Sequence, residues 1–150
     1  MRIVVQRVSS ANVKVDLQIV GKIGKGLLVY AGMEKSDTER EIEFLSDKIL
    51  NLRIFPDEEG KMGKSVLDID GGAILSVSQF TLASFVKKGR RPDFSNALEP
   101  EKAEELYNFF CDKMAERIIV EKGVFGAMMD VASTNDGPVT FILEKNFNTY

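Results

Sequence analysis

Apolar residues recur along this chain in two periods. Residues 3–8 are rich in β-branched side chains, and residues 12–17 alternate, with Val13, Val15 and Leu17 on one face. A period of two marks a half-buried strand. Residues 19–23 read as the returning partner of a hairpin, and residues 26–33 as a buried strand. The period then lengthens: Ile42, Leu45, Ile49 and Leu52 recur at helical spacing. Ser36-Asp37-Thr38-Glu39 precedes them and matches a capping box, with Ser36 and Glu39 satisfying free N–H groups reciprocally. Short strands are predicted at residues 52–55 and 65–69, around a polar turn at 57–60, and a long strand at 73–82 after Gly71-Gly72. The second helix opens at Pro100, with Glu99, Glu101 and Glu104 near the positive end of its dipole. Ala103, Leu106, Tyr107, Phe110 and Met114 form its apolar stripe. Three further strands are predicted at residues 118–120, 125–133 and 139–143. Many strands with two separated helices predict an α+β fold: a mostly antiparallel sheet or barrel-like core with two main helices, rather than a doubly wound sheet.

A length of 150 residues predicts one domain, 1–150, large enough for a real core. No linker, low-complexity tract or internal repeat interrupts it. Hydrophobic content of 44% and charged content of 29% are ordinary for a soluble globular protein. No apolar run is long enough to span a bilayer, and the first residues lack the apolar core and cleavage site of a secretory signal. The single Cys111 excludes an internal disulfide and points to a reducing cytoplasm; within the second helix it reads as an inert packing group.

The sequence contains 0 histidines, which excludes a Ser-His-Asp triad, a Cys-His dyad and any histidine zinc site. A cysteine-only zinc site fails as well, and no compact acidic motif suggests a magnesium site. No cofactor is implied. An enzyme of this composition works with hydroxyls, carboxylates, amines or its own backbone. The net charge of −3 argues against broad attraction to nucleic acid, but Lys87-Lys88-Gly89-Arg90-Arg91 is a local cationic cluster suited either to solvent or to phosphates. The glycine-rich residues 21–26 are not a phosphate-binding loop: Lys25 is followed by Gly26 and an apolar run, where such a loop needs Ser or Thr opening a helix.

Two segments carry candidate chemistry. Asn135-Asp136-Gly137-Pro138-Val139-Thr140 holds a Gly-Pro pair, which can present main-chain carbonyls rigidly to a small ligand, because glycine admits close approach and proline fixes φ. On the dipeptide alone, an ordinary turn before a last strand is the simpler account. Ser78-Gln79-Phe80-Thr81-Leu82 gathers two hydroxyls and an amide at a strand end, beside the basic loop. That composition is equally ordinary strand filler.

Taken together and in this order, the two segments resemble the signature motifs of the D-aminoacyl-tRNA deacylases. The resemblance extends over nearly the whole chain, through Gln6-Arg7-Val8, residues 24–29 and 47–55, Lys88-Gly89-Arg90-Arg91-Pro92 and Phe125-Gly126-Ala127-Met128-Met129. It implies hydrolysis of the ester of D-aminoacyl-tRNA, a chiral proofreading step in translation quality control. It implies a homodimer in which a cis Gly137–Pro138 bond enters the partner's site and rejects L residues by steric exclusion. Arg7 would fix that loop through carbonyls, which suits its place on the face of Ile3 and Val5. Met129 is either a core residue or a pocket wall; the resemblance implies the wall. Asn135 belongs to the same substrate-binding set. Ser78, Gln79, Phe80 and Thr81 form the catalytic set, with backbone N–H groups near Phe80 and Thr81 as oxyanion donors. Thr81 as a nucleophile would need a base that the composition withholds, so activation of water by the substrate's ribose hydroxyl suits it better. Lys87, Lys88, Arg90 and Arg91 are the tRNA-binding candidates. An enzyme selecting by exclusion should also admit glycyl-tRNA mischarged on the alanine tRNA. Ala83-Ser84-Phe85-Val86 departs from the more polar, glycine-containing stretch of the family, which bears on loop shape and tRNA preference. The competing readings are a noncatalytic RNA-binding module using residues 87–91, and a structural dimer whose Gly137-Pro138 segment is only an interface turn.

Overall fold

The structure, a computed structural model, describes residues 1–148. Its spine is the strand β1 (Arg2–Val15), hydrogen-bonded along both edges. Ile3 and Val5 bury into one part of the core, and Ala11 and Val13 into another. One edge carries β8 (Asp130–Glu144), antiparallel from the Arg2–Glu144 pair to the Lys14–Asp130 pair. The other edge carries two strands end to end. β2 (Gln18–Ile23) pairs with residues 11–15, and β3 (Gly26–Gly32) with residues 2–8. Beyond β3 the pairing becomes parallel, first to β6 (Ala73–Ser78) and then from β6 to β7 (Ile119–Lys122). Parallel neighbours need a long crossover. Helix α1 (Glu39–Asn51), with a small hairpin of β4 (Phe55–Pro56) and β5 (Met62–Lys64), lies between β3 and β6; helix α2 (Pro100–Ala115) lies between β6 and β7. The sheet curls until β2 meets β7: a Cβ on Gly21 would lie 2.7 Å from the Lys122 carbonyl oxygen. The result is a mixed, nearly closed barrel with two helices.

The core has two compartments, one on each side of β3. Leu27 and Val29 face the helices, where they join Ile3, Val5, Ile42, Leu45, Ile49 and Phe110. Leu28 faces the inside of the curl, with Val8, Val13, Leu75 and Val77. A strand covered on both faces reads as a continuous apolar run, which is the pattern of residues 26–33. Cys111 is buried beside the Tyr107 ring; burial pushes its thiol pKa up, which suits packing and not nucleophilic chemistry.

Several boundaries differ from the sequence expectation, each for a local reason. The capping box is made by Thr38 and Glu41 instead of Ser36 and Glu39. The Thr38 hydroxyl accepts from Arg40 N at 3.3 Å, and the Glu41 carboxylate accepts from Thr38 N at 2.9 Å. Leu52 ends α1 as its C-cap and leaves the helix. Residues 65–69 form a turn, in which Asp68 accepts from Ser65 N at 2.8 Å, and not a strand. β6 stops at Ser78; the backbone then winds into a 3-10 turn, Phe80–Ala83, instead of remaining extended to residue 82. Residues 125–129 form a glycine-containing turn, and the two strands expected at 125–133 and 139–143 are one long β8.

Glu41 shows how the chain end is tied down. It is buried, and its carboxylate accepts from the Thr38 hydroxyl at 2.6 Å and from Phe147 N at 2.9 Å. Burial alone would raise its pKa, but these bonds outweigh it and lower the value from 4.5 to about 2. A carboxyl with a lowered folded-state pKa stabilises the fold above its unfolded value and loses that contribution as pH falls through the folded value. Glu41→Gln is therefore expected to cost about 2 kcal/mol at neutral pH. Urea titrations across the acid range should show that difference shrink between pH 4.5 and about 2.

Candidate functional site

A cavity of about 700 Å³ opens between three segments. Its first wall is the end of β6 and the residues after it, Val77 to Phe80. Its second is Phe94 with the entry to α2, including Glu99 and Pro100; its third is the turn from Phe125 to Met129, with Val131. The walls are mainly apolar, and Glu99 is the one charged residue among them. Among the described residues, no group of three or more His, Cys, Asp or Glu side chains could hold a metal ion.

The local sequence explains the first wall. Ser78 is the last residue paired in β6, and Gln79 N still donates to Ala31 O at 2.8 Å. The 3-10 turn follows, with Leu82 N donating to Gln79 O at 3.2 Å and Ser84 N to Thr81 O at 3.1 Å. The first N–H groups of a helical turn have no partner within it. Phe80 N and Thr81 N accordingly have no acceptor among the described residues. The Gln79 side-chain amide donates to the Thr81 hydroxyl at 2.6 Å. Ser78, Gln79 and Phe80 line the cavity, whereas the exposed Thr81 side chain does not. The turn thus replaces the alternation expected of a strand and puts consecutive backbone N–H groups side by side. The Phe80 ring is 60% exposed and packs only on Phe94 among aromatic neighbours, with centroids 5.3 Å apart.

The Asn135–Thr140 segment forms a bulge in β8. The pairing of Gln6 with Thr140 is followed by that of Val8 with Asn135, so residues 136–139 project from the ladder opposite Arg7. The Gly137–Pro138 peptide is cis. Arg7 is buried; its Nε donates to the Asp136 carbonyl at 3.1 Å and pairs with the Asp136 carboxylate at 3.3 Å, while Nη1 donates to Ile54 O at 2.7 Å. Asn135 closes the bulge from within, its side-chain oxygen accepting from Val139 N at 3.1 Å. Gly137 has φ +132, and a Cβ there would lie 2.8 Å from Val139 Cγ2 and 3.2 Å from Arg7 Nη2. Only glycine fits that conformation and that space. Gly137 and Pro138 are exposed and do not line the cavity of their own chain. Met129 does both things considered for it: it lines the cavity and packs on the inner core.

The basic cluster caps a small hairpin. Phe85 and Asp93 exchange backbone hydrogen bonds of 2.9 and 2.8 Å, and Gly89 turns at φ +74. Lys87, Lys88, Arg90 and Arg91 are exposed, and none has a carboxylate partner among the described residues. Lys87 Nζ lies 4.6 Å from the centroid of the Phe85 ring, so the divergent residues 83–86 give the hairpin an aromatic base. Phe94 follows directly and enters the cavity wall. Sequence reasoning missed the roles of Phe94, Glu99 and Pro100 as walls. The signal was faint: one aromatic after a charged loop, and two residues that read equally well as a helix start.

Comparison with known proteins agrees with this geometry. Residues 4–144 match the family model described as D-Tyr-tRNA(Tyr) deacylase. The chain is 56% identical over 145 residues to a D-aminoacyl-tRNA deacylase of Kosmotoga olearia, covering 97% of each chain. It is 58% identical over 146 residues to one of Brevibacillus brevis, covering 97% of this chain and 100% of that one. Among solved structures it resembles a protein described as c-Myc DNA Unwinding Element Binding Protein, with a TM-score of 0.91, 46% identity and coverage of 97% and 99%. A probable eukaryotic D-amino acid tRNA deacylase shares the fold at a TM-score of 0.81 and 20% identity, covering 95% of this chain and 97% of that one. With the family model spanning residues 4–144 and relatives more than half identical over nearly the whole length, the chain belongs to the D-Tyr-tRNA(Tyr) deacylase family.

Proposed function

We propose that this chain hydrolyses the ester of D-aminoacyl-tRNA to free D-amino acid and tRNA, and rejects the L ester. The observation that carries this reading is the pair of unbonded N–H groups at Phe80 and Thr81, at the edge of a cavity lined by Ser78, Gln79 and Phe80. Water attacks the ester carbonyl carbon, and the carbonyl oxygen takes up negative charge. Two fixed N–H donors stabilise that charge in the transition state more than in the ground state. The ester is already an activated acyl group, so orientation with oxyanion stabilisation is enough to hydrolyse it. Ser78 and Gln79 orient the substrate.

The ribose hydroxyl vicinal to the ester takes the attacking water's proton as it gives its own to the leaving ribose oxygen, so the acyl C–O bond breaks to free amino acid and tRNA without a side-chain base. The sequence holds 0 histidines, and the Thr81 hydroxyl accepts from Gln79 at 2.6 Å with no base beside it. This favours the ribose hydroxyl over Thr81 as the group that activates the attack. Chirality is read by a second copy of this chain. Gly137 and Pro138 project from their own sheet and leave their own cavity unlined, which favours delivery of their carbonyls into a partner's site. Arg7 and Asn135 hold the bulge rigid enough to exclude an L side chain; achiral glycine passes, so glycyl-tRNA mischarged on the alanine tRNA is also cleared. Met129 lines the pocket. The exposed cations at Lys87, Lys88, Arg90 and Arg91 suit the phosphates of the acceptor stem, and the reaction belongs in the cytoplasm.

Parallel deacylation of D-tyrosyl-tRNA and L-tyrosyl-tRNA tests the reading, with only the D ester expected to disappear. Loss of neither, with salt-dependent RNA binding retained, would replace it by the RNA-binding module; loss of both would remove the chiral role of Gly137 and Pro138. Thr81→Val is expected to keep turnover within about tenfold, since it removes no group that takes a proton. Abolished turnover with substrate binding intact would make Thr81 the catalytic hydroxyl. Neutralising Lys87, Lys88, Arg90 and Arg91 together should raise KM for tRNA and flatten its salt dependence by about one unit of slope per lost phosphate contact. An unchanged slope would move the tRNA elsewhere.

A further inference from the structure

The 3-10 turn that carries the N–H pair is held by a row of residues across three strands. Arg2 of β1 pairs with Gly32 at the end of β3 on one side and with Glu144 at the end of β8 on the other. Directly opposed residues of an antiparallel pair point to the same face. Gly32 offers no side chain on that face. A Cβ there would lie 2.8 Å from Gln79 O and 2.8 Å from Leu82 Cβ, so the missing methyl lets the turn sit directly on the strand end. The Arg2 guanidinium reaches the same turn, where Nη1 donates to Leu82 O at 2.9 Å. Its Nε donates to Glu144 Oε1 at 2.5 Å, which holds the guanidinium in that orientation. In a turn this short, the last carbonyls lack internal partners just as the first N–H groups do. Arg2 binds a carbonyl of the turn and leaves Phe80 N and Thr81 N free at its other end.

We propose that Arg2, oriented by Glu144, is the positioning residue of the Phe80–Thr81 N–H pair, acting on a turn that Gly32 lets sit against the strand end. This rests on the deacylase reading and extends it. Arg2 does not line the cavity and touches no reacting atom. It acts by fixing where the oxyanion donors stand, and a displacement of a fraction of an ångström there weakens transition-state stabilisation without weakening substrate binding.

Single-turnover and steady-state deacylation of D-tyrosyl-tRNA by Arg2→Ala, Arg2→Lys, Glu144→Gln and Gly32→Ala tests it, with Tm measured alongside. Arg2→Ala should lower kcat about tenfold or more with KM unchanged. Arg2→Lys, which keeps a cationic donor without the guanidinium fork, should recover part of that loss, and Glu144→Gln should give a smaller fall of the same kind. Gly32→Ala should fall furthest. Where Arg2→Ala lowers Tm, Glu144→Gln decides, because it keeps the shape of the side chain and alters only the hold on the guanidinium. A kcat within twofold of wild type in both Arg2→Ala and Glu144→Gln, a loss confined to KM, or no recovery with Arg2→Lys would overturn the positioning role while leaving the deacylase reading intact. An inactive wild-type protein would overturn both.

Discussion

The double pairing of β1 is the constraint on which this structure depends. A strand hydrogen-bonded along both edges has no freedom to slip, because a shift by one residue would turn every buried side chain to the wrong face. Ile3 and Val5 in the helix-side core, and Ala11 and Val13 in the inner one, lock that register. Everything the site needs is then placed relative to β1. β3 lies on one edge and carries, through its parallel pairing with β6, the Ser78 end of the first motif. β8 lies on the other edge and carries the bulge with Gly137 and Pro138. Arg7 sits on the shared strand and reaches the bulge, while Arg2 on the same strand reaches the 3-10 turn. One strand thus holds the two motif segments, far apart in sequence, in fixed relation.

The site is built more from backbone than from side chains. Phe80 N and Thr81 N are free because a short 3-10 turn begins there, and the cis Gly137–Pro138 peptide is exposed because β8 bulges there. In both places a guanidinium accompanies the backbone. Arg2 binds Leu82 O and Arg7 binds Asp136 O, each leaving the neighbouring groups unobstructed. In both places a glycine leaves room for close approach: a Cβ would lie 2.8 Å from Gln79 O at Gly32 and 2.8 Å from Val139 Cγ2 at Gly137. Backbone groups held in this way need no reorganisation when charge develops, which is the physical basis of electrostatic preorganisation. Such a site suits a chain with 0 histidines. The exposed basic hairpin has a different character. Its cations stand on a tip joined by the Phe85–Asp93 pair, and none of them lines the cavity.

Much of this was legible in the sequence. The stripe of Tyr107, Phe110 and Met114 marked α2, and Pro100 opened it as expected. The apolar run at residues 26–33 marked a strand buried on both faces, and Arg7, on the face of Ile3 and Val5, is buried. Absence of histidine and the lone Cys111 removed whole classes of mechanism before any fold was known. The boundaries failed where two local solutions compete. Ser36 and Thr38 both offer a hydroxyl with a Glu three residues on, and the choice fell to Thr38 because Glu41 is the carboxylate that also receives Phe147 N. Residues 78–82 suit a strand by composition, but Gly32 beneath them lets the chain close into a 3-10 turn.

The sequence by itself determined the two helices, the main strands, their apolar positions and the residue chemistry, because these follow from periodicity and from which side chains are present. It also held the two motifs that mark the family. Only the tertiary structure decided which edges pair, that parallel strands adjoin an antiparallel core, and that Phe94, Glu99 and Pro100 complete the cavity with Phe125. It alone brought Arg2 to a carbonyl 80 residues away in the chain. Such contacts are set by how the sheet curls and where the crossover helices return the chain, and neither leaves a local pattern to be read.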